Sequence, residues 1–449
     1  MGLTGIQIFK LLPKTNCGEC GVPTCLAFAM NLASGKAELA KCPYVSEEAK
    51  EKLATESAPP IRPLTIGTGE YAVKVGGETV LFRHEKTFVN PPGFAVLVST
   101  DEDEASVSGK IDRFKKAQYD RVGLKLRAEM FAIKDANGDA AKFCALAKKI
   151  SETGASMVFI SESVDVMTAA ADSFKDKKPL LHGATAANVE AFGNLAKAAE
   201  CPVAVKGDGS LKSVIALTEK LTAMGLKDIV IDTGTRELKK AFEEQILIRR
   251  SALKDRFRPL GFPTIVMANE MGDGLMEEAL VAATFVAKYG AVIVMSDLQP
   301  HVIFPLLLER LNIYTDPQRP MTAEQGIYPI NNPDENSPVL VTCNFSLTYF
   351  IVSGEIEGSR VPSWLCVQDT EGLSVMTAWA AGKFSGESVG SFINKCGIKD
   401  KVKHKNIIIP GYAAGISGEL EEELGAGWTI SVGPREASQI PKYLKSLKA

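Results

Sequence analysis

Pro338-Val-Leu-Val-Thr-Cys-Asn-Phe-Ser346, Trp364-Leu-Cys-Val-Gln-Asp-Thr-Glu-Gly-Leu-Ser374 and Asn406-Ile-Ile-Ile-Pro-Gly-Tyr-Ala413 follow one another near the end of the chain, and Trp428-Thr-Ile-Ser-Val-Gly433 repeats the pattern. Each opens with a short aliphatic run, passes into a small, polar or glycine-rich turn, and continues into a helix-like segment. Runs that are apolar on both faces, alternating with helices, are the mark of an open parallel α/β sheet of the Rossmann-like kind. Ligands of such sheets lie beyond the carboxyl ends of the strands. Here those ends carry hydroxyls, amides and backbone N–H groups and almost no charge. They suit a large, mostly uncharged organic ligand with amide arms better than a nucleoside triphosphate.

Upstream, eight further strand-like runs recur at regular intervals: Ala95–Val98, Glu129–Ile133, Met157–Ile160, Pro179–Leu181, Val203–Val205, Ile229–Ile231, Thr264–Met267 and Ala291–Val294. Helical patterns lie between them. Leu211, Val214, Ile215, Leu221 and Met224 have the helical spacing, with Gly225 in the place of a C-terminal cap. Eight strand–helix units in this length predict a (β/α)8 TIM barrel; an open doubly wound sheet of similar strand number is the other architecture the count allows. Tyr71–Val75, a Gly-Gly turn and Thr79–Phe82 read as a hairpin ahead of the barrel. Asp316–Pro320 through Asn331–Asn336, rich in Pro and Asn, reads as a linker. The expected domains are therefore 1–57, 58–325 and 326–449.

The first of these holds Cys17, Cys20, Cys25 and Cys42, in the spacing C-x2-C-x4-C-x16-C, out of nine cysteines. Two short spacings bring three sulfurs to one loop, and Gly18 and Gly21 let backbone N–H groups approach inorganic sulfide. All-thiolate ligation without nearby histidine suits a [4Fe–4S] cluster; a four-thiolate zinc site is the alternative, although zinc ribbons usually show two C-x2-C pairs. The remaining cysteines are scattered. Cys343 and Cys366 read as buried, inert thiols. One metal site and no disulfide framework fits a cytoplasmic protein.

With 449 residues and a formal net charge of −3, the composition argues against a general nucleic-acid or anionic-membrane binder. No apolar run approaches the roughly 18 residues of a membrane helix, and the first residues lack a basic region followed by an apolar core, so no signal peptide is expected. Asp232, Lys206, Asn269 and Glu270 fall at or just after predicted barrel-strand ends. They are positions for a small substrate such as a pterin, or for a polar rim.

A four-cysteine module, a barrel and a small α/β domain on one chain resemble the large subunit of the corrinoid iron–sulfur protein, whose archaeal counterpart is the gamma subunit of acetyl-CoA decarbonylase/synthase. The cysteine spacing and Thr370-Glu-Gly-Leu-Ser374 carry most of the resemblance, which covers the whole chain. It implies a methyl carrier of the reductive acetyl-CoA pathway, taking methyl from methyltetrahydrofolate through a methyltransferase and giving it to acetyl-CoA synthase. A pterin-dependent barrel methyltransferase with an attached electron-transfer module is the other function considered. The resemblance further implies a base-off corrinoid (a cobamide, carrying cobalt), a heterodimer with a smaller barrel subunit, and a reductive activator as partner. The corrinoid contacts expected at the strand ends are Thr342, Asn344, Ser346 and Thr348; Thr370, Glu371, Gly372, Leu373 and Ser374; Gly411, Tyr412 and Ala413; and Gly433. Thr370 and Ser374 are placed nearest the lower face of cobalt. None of His84, His182, His301 and His404 lies in the Asp-x-His-x-x-Gly motif that supplies a lower imidazole in many cobalamin domains. Cobalt without a strong axial nitrogen is easier to reduce, and the resemblance implies the iron–sulfur cluster as the electron source for its reactivation.

Overall fold

The computed structural model describes residues 5–33, 37, 39–46, 49–50, 53, 59–121, 124–316 and 321–447. Most of the charged run from Glu47, the start of the Ser57–Pro63 linker and nearly all of Asp316–Pro320 lie outside these residues. The chain gathers into two compact units. One comprises residues 1–81, 89–102 and 129–296; the other comprises 82–88, 103–128 and 297–449.

In the first unit, all eight expected barrel runs are parallel strands of one closed barrel. They are β3 (Gly93–Ser99), β6 (Met130–Lys134), β7 (Ser156–Ile160), β8 (Leu180–Ala184), β9 (Val203–Lys206), β10 (Ile229–Asp232), β11 (Thr264–Met267) and β12 (Gly290–Met295), paired in that order and closed by β12 against β3. Each is almost entirely buried, as strands covered on both faces must be. The helix Leu211–Ala223 opens with Ser210 accepting from Ser213 N–H, and Gly225 follows it at φ 89° with its N–H on Thr222 O.

The segment before the barrel differs from the expected hairpin. Strand β2 (Val73–Val75) pairs antiparallel with the upstream β1 (Leu64–Ile66), and Thr79–Phe82 forms no strand. The Gly-Gly turn is real, at φ 77° and 80°, but the chain beyond it is spent on another task. Glu78 and Arg249 form an ion pair at 3.0 Å with both side chains under 8% exposed, and Arg249 also donates to Val80 O at 2.7 Å. Leu64, Ile66, Val73 and Val75 pack against Ala95, Met130, Val158 and Val230 in the barrel interior, so the β1–β2 ribbon floors it.

In the second unit lies a five-stranded sheet of order β13-β15-β14-β16-β17, where β13 is Gly326–Ile330, β14 Val339–Cys343, β15 Ser363–Gln368, β16 Asn406–Ile409 and β17 Thr429–Val432. The last four are parallel, and they are the four runs quoted above. Strand β13, inside the expected linker, runs antiparallel along the edge of β15. It contains Pro329, which an edge strand tolerates because one row of N–H groups has no ladder to join. Helices cover both faces: Ser346–Ser359 and Ile440–Ser446 on one, Gly386–Lys395 and Ser417–Leu424 on the other. The hairpin β4 (Gln118–Arg121) and β5 (Leu124–Arg127) and the helices Glu104–Lys116 and Pro300–Ile313 also belong to this unit. Asp103 caps the first of these helices by accepting from Ser106 N–H at 2.8 Å.

Candidate cofactor site

The order β15-β14-β16-β17 reverses direction at β14. The chain leaves β14 toward β15, then returns to the other side for β16. Such a switch point opens a crevice between the strands where the order reverses, because their connections depart to opposite faces. The pairing shows it: β14 matches β15 over five residues but β16 over two, Val339 with Ile407 and Leu340 with Ile408. Beyond Leu340 the two strands separate, and a cavity of about 240 Å³ lies between their ends.

Of the residues expected to meet the cofactor, Thr342, Thr348, Ser374, Tyr412 and Gly433 line this cavity. The sequence reading did not include Val352, Met376, Pro410 and Arg435, which line it as well. Val352 comes from the second turn of one helix and Met376 from the first turn of another, while Pro410 and Arg435 lie in the turns after β16 and β17. Gly411 explains why the last two turns sit together. A Cβ there would meet Gly433 O at 2.6 Å and Arg435 N at 2.7 Å, while Gly411 N–H bonds Pro434 O at 3.1 Å. Leu347, Ile351, Met376, Trp379 and Tyr412 stand 44–57% exposed on the elements around the mouth.

Of the other expected residues, Asn344, Thr370, Glu371, Gly372 and Leu373 build the turn behind the cavity, whereas Ser346 opens a helix and Ala413 is buried in the apolar core. Asn344, only 4% exposed, accepts at its Oδ1 from Thr370 N–H (3.0 Å), Thr370 Oγ1–H (2.9 Å) and Gly372 N–H (3.0 Å). Its Nδ2 donates to Asp369 Oδ1 at 2.8 Å, and that oxygen also accepts from Glu371 N–H at 2.8 Å. The bonds hold Glu371 and Gly372 at φ 55° and 75°, a left-handed pair that a glycine makes easier. Thr370 is 1% exposed and its hydroxyl is shared between Asn344 Oδ1 and Leu373 O, so it faces inward; Ser374 is the hydroxyl of this loop on the cavity wall. Neither Thr370 nor Ser346 caps a helix: Phe345 precedes the helix that begins at Ser346, and Ser374 precedes the next. Tyr412 donates its hydroxyl to Glu436 at 3.0 Å, and that bond raises its pKa. No histidine is among the lining residues; His404 lies elsewhere, its ring nitrogens engaged by Ser337 O and Asn406 N–H.

In the N-terminal module, Cys25 and Cys42 are buried in an apolar cluster with Ile8, Leu12 and Phe28, Cys20 packs against that cluster, and Cys17 is exposed. Asn16 clamps the loop: its Oδ1 accepts from Cys25 N–H at 2.8 Å, and its own N–H points at Cys25 Sγ at 3.4 Å. Gly18 and Gly21 take φ 77° and 84° with open space where a Cβ would stand. Among the described residues no three His, Cys, Asp or Glu side chains are gathered closely enough to hold a single ion. Three thiols around one apolar cluster, beside glycines with open faces, match the donor chemistry of a multi-iron cluster, whose sulfides spread the ligands apart.

At the barrel's carboxyl end, Asp232, 1% exposed, accepts Arg236 in a bidentate pair (both contacts 2.9 Å), His182 Nε2–H at 2.9 Å and Gly234 N–H at 2.8 Å. Burial alone would raise its pKa, but the bonds from His182 and Arg236 outweigh it and hold the carboxyl far below its ordinary range. Arg236 also binds Glu270, Glu270 approaches Lys134, and Lys206 pairs with Glu162 at 2.6 Å. The charged residues expected at the mouth are thus each engaged by a neighbour: Asp232 and Glu270 by Arg236, and Lys206 by Glu162. Asn269 keeps a buried Oδ1 without a partner. The sequence reading did not assign His182 to this network.

A thiol module, a closed barrel and a separate open sheet with a switch-point crevice define a modular α/β protein in which the chemistry is distributed among parts. The family described as the CO dehydrogenase/acetyl-CoA synthase delta subunit matches residues 63–444, and a family described as an Fe–S cluster matches residues 12–44. The chain is 44% identical to the corrinoid/iron–sulfur protein large subunit of Moorella thermoacetica, covering 99% of each. It is 35% identical to the acetyl-CoA decarbonylase/synthase complex gamma subunits of Methanopyrus kandleri, over 99% of this chain and 97% of that one, and of Methanothermobacter thermautotrophicus, over 100% and 99%. The chain belongs to this family of corrinoid/iron–sulfur protein large subunits and acetyl-CoA decarbonylase/synthase gamma subunits.

Proposed function

We propose that this chain is the large subunit of a corrinoid iron–sulfur methyl carrier acting in the reductive acetyl-CoA pathway. The observation that carries the reading is the crevice between β14 and β16. It is lined by Thr342, Thr348, Ser374, Tyr412 and Gly433, in a chain 44% identical to a protein named for its corrinoid. The residues fit such a group. Hydroxyls and strand-end N–H groups bond amide arms, Arg435 offers a cation, and the apolar rim of Leu347, Ile351, Met376 and Trp379 accepts a flat macrocycle. With no imidazole in the lining, this chain would offer the metal only weak donors, Ser374 among them. When bound, a cobalt corrinoid supplies a reducible metal that accepts and releases a methyl group. The protein's part would be to hold the ring, through the walls that the Asn344-braced turn and the Gly411-fitted turns support.

Cys17, Cys20, Cys25 and Cys42 would hold a [4Fe–4S] cluster, which supplies low-potential electrons for reactivation. The domains proposed for these roles are 1–57, 58–325 and 326–449. The exposed rim is the natural place for cover by a small barrel subunit, with a methyltetrahydrofolate methyltransferase, acetyl-CoA synthase and a reductive activator as working partners. No described helix is long and apolar enough to cross a membrane.

The test is co-expression with the small subunit and anaerobic purification, followed by visible spectra and metal analysis. The reading expects base-off corrinoid bands, about four irons with matching sulfide, and loss of cobalt in Gly372→Phe. A folded Gly372→Phe complex retaining a full equivalent of base-off corrinoid would refute the placement of the site. Methyl transfer by the barrel without corrinoid would favour a pterin-dependent methyltransferase instead.

A further inference from the structure

A second cavity, of about 570 Å³, lies against the other side of β15. Its walls include Gln325, Gln368, Asp369, Ser391, Lys395 and Cys396. Two observations mark it as more than a surface dimple. Gln368 is 3% exposed; its Nε2 donates to Lys383 O at 3.1 Å, but its buried Oε1 has no partner. Cys396, at the end of the helix Gly386–Lys395, has a second thiol behind it. Cys366 is fully buried on β15 in the apolar cluster that Cys396 packs against, and the Cys396 S–H points at Ile393 O at 3.7 Å. An orphaned acceptor, a half-buried thiol at a cavity wall and a second thiol in the apolar cluster behind it make a constellation that neither the cofactor crevice nor the cluster module uses.

We propose that Cys396 and Cys366 form a reactive dithiol site for small hydroperoxides, which enter through this cavity and donate their O–H to Gln368 Oε1. The Cys396 thiolate attacks the outer peroxide oxygen. The O–O bond breaks, a sulfenic acid forms on Cys396, and the leaving alkoxide or hydroxide takes a proton from Cys366. The Cys366 sulfur then displaces the sulfenic oxygen, which leaves as water with a proton from solvent. Two thiols become one disulfide while one hydroperoxide becomes an alcohol (or water) and a second water. The electrostatics agree. The S–H of Cys366 supports a negative charge on Cys396, as do the N–H of Ile398 and nearby Lys399, so the Cys396 pKa is lowered and that of Cys366 is raised. By contrast, burial pushes the Cys201 thiol up to about 11, and burial raises Cys144 too. The site also has a place to report to: Gln368 and Asp369 lead directly into the turn that Asn344 braces.

The test uses the full-length, cluster-loaded protein, titrated anaerobically with hydrogen peroxide, quenched by alkylation under denaturing conditions and mapped by mass spectrometry. All thiols compete in one sample, so consumption of peroxide by the cluster affects them equally. A Cys366–Cys396 linked peptide is expected to accumulate roughly tenfold or more faster than Cys201 is lost, because only a thiolate reacts. Cys366→Ser should halt at a sulfenic acid on Cys396, captured by a cyclic 1,3-dione. If that variant does not fold, Gln368→Leu, with both thiols intact, should slow the linkage several-fold. Cys396 remaining alkylatable after Cys201 has been oxidised, no dione adduct in folded Cys366→Ser, or an unchanged rate in Gln368→Leu would each overturn the proposal.

Discussion

Replacing Asn344 by alanine removes the brace from the turn that follows β15, and the cost follows from its bonds. Three donors converge on Asn344 Oδ1, at 3.0, 2.9 and 3.0 Å, and Nδ2 donates to Asp369 at 2.8 Å. Two of these groups have another partner: the Thr370 hydroxyl can bond Leu373 O, and Asp369 Oδ1 keeps Glu371 N–H. The N–H groups of Thr370 and Gly372 have none. A buried donor left unpaired costs about 1–3 kcal/mol, so the rigid limit is about 2–6 kcal/mol. The left-handed Glu371 stores about 1 kcal/mol or more that the turn releases if it rearranges, which pulls the expected loss toward about 2–3 kcal/mol. Asn344→Ala should therefore unfold at lower urea by that amount with an unchanged slope, and its complex with the small subunit should hold corrinoid several-fold more weakly. Asn344→Asp sharpens the test. It restores the acceptor but faces Asp369 with a second carboxylate. Burial and like charge raise the new carboxyl's pKa, so the loss should be largest at neutral pH and shrink as pH falls and the group protonates. Stability within about 0.5 kcal/mol of the parent for Asn344→Ala, together with unchanged corrinoid affinity, would refute the bracing role.

Gly411→Ala forces a methyl against the backbone of Gly433 and Arg435 and should cost about 1–3 kcal/mol, lowering corrinoid occupancy; full occupancy in a folded variant would count against the fitted turns. Cys20→Ala should lower iron and sulfide content and slow reductive reactivation of Co(II) more than methyl transfer from Co(I) already formed; one stoichiometric zinc and no sulfide in the parent would end the cluster assignment. Asp232→Asn strands Arg236 and should destabilise the barrel by about 3 kcal/mol, the low end for breaking a buried pair, since Glu270 still holds the guanidinium. Because the folded pKa of Asp232 is depressed, its contribution is present above the unfolded value of about 3.9 and is lost as pH falls below it. The parent's melting temperature should then drop more steeply than the variant's between about pH 4 and pH 2.

The barrel was legible because strands buried on both faces leave uninterrupted aliphatic runs, and the eight runs needed no knowledge of their partners. The β1–β2 ribbon was not: Thr79–Phe82 has the composition of a strand, but Arg249, distant in sequence, claims its backbone. Strand β13 hid behind Pro329 and a half-exposed pattern, as edge strands do. At the crevice, the strand-end rule found Thr342, Thr348, Ser374, Tyr412 and Gly433, which project directly from the strand ends or their connections. It did not separate these from Asn344 and Thr370, which have the same residue chemistry but face inward; only the hydrogen bonds tell wall from brace. Arg435 and Met376 depend on how the turns fold back, and the cluster shared by Cys366 and Cys396 joins a strand to the far end of a helix with no sequence signature.

The ribbon that floors the barrel imposes an order on assembly. Residues 64–75 leave the ribosome before any barrel strand, yet the apolar cluster around Leu64, Ile66, Val73 and Val75 is complete only when β12 arrives, since Val292 and Val294 belong to it. A two-stranded ribbon of three residues each is too short to persist alone. The earliest part of this region to be synthesised is therefore among the last to become secure, and the cysteine module is tethered to it. During refolding, pulse-labelled hydrogen exchange should find Ile66 and Val73 amides protected no sooner than those of β12. Premature protection would mean that the floor is a nucleus and not a seal.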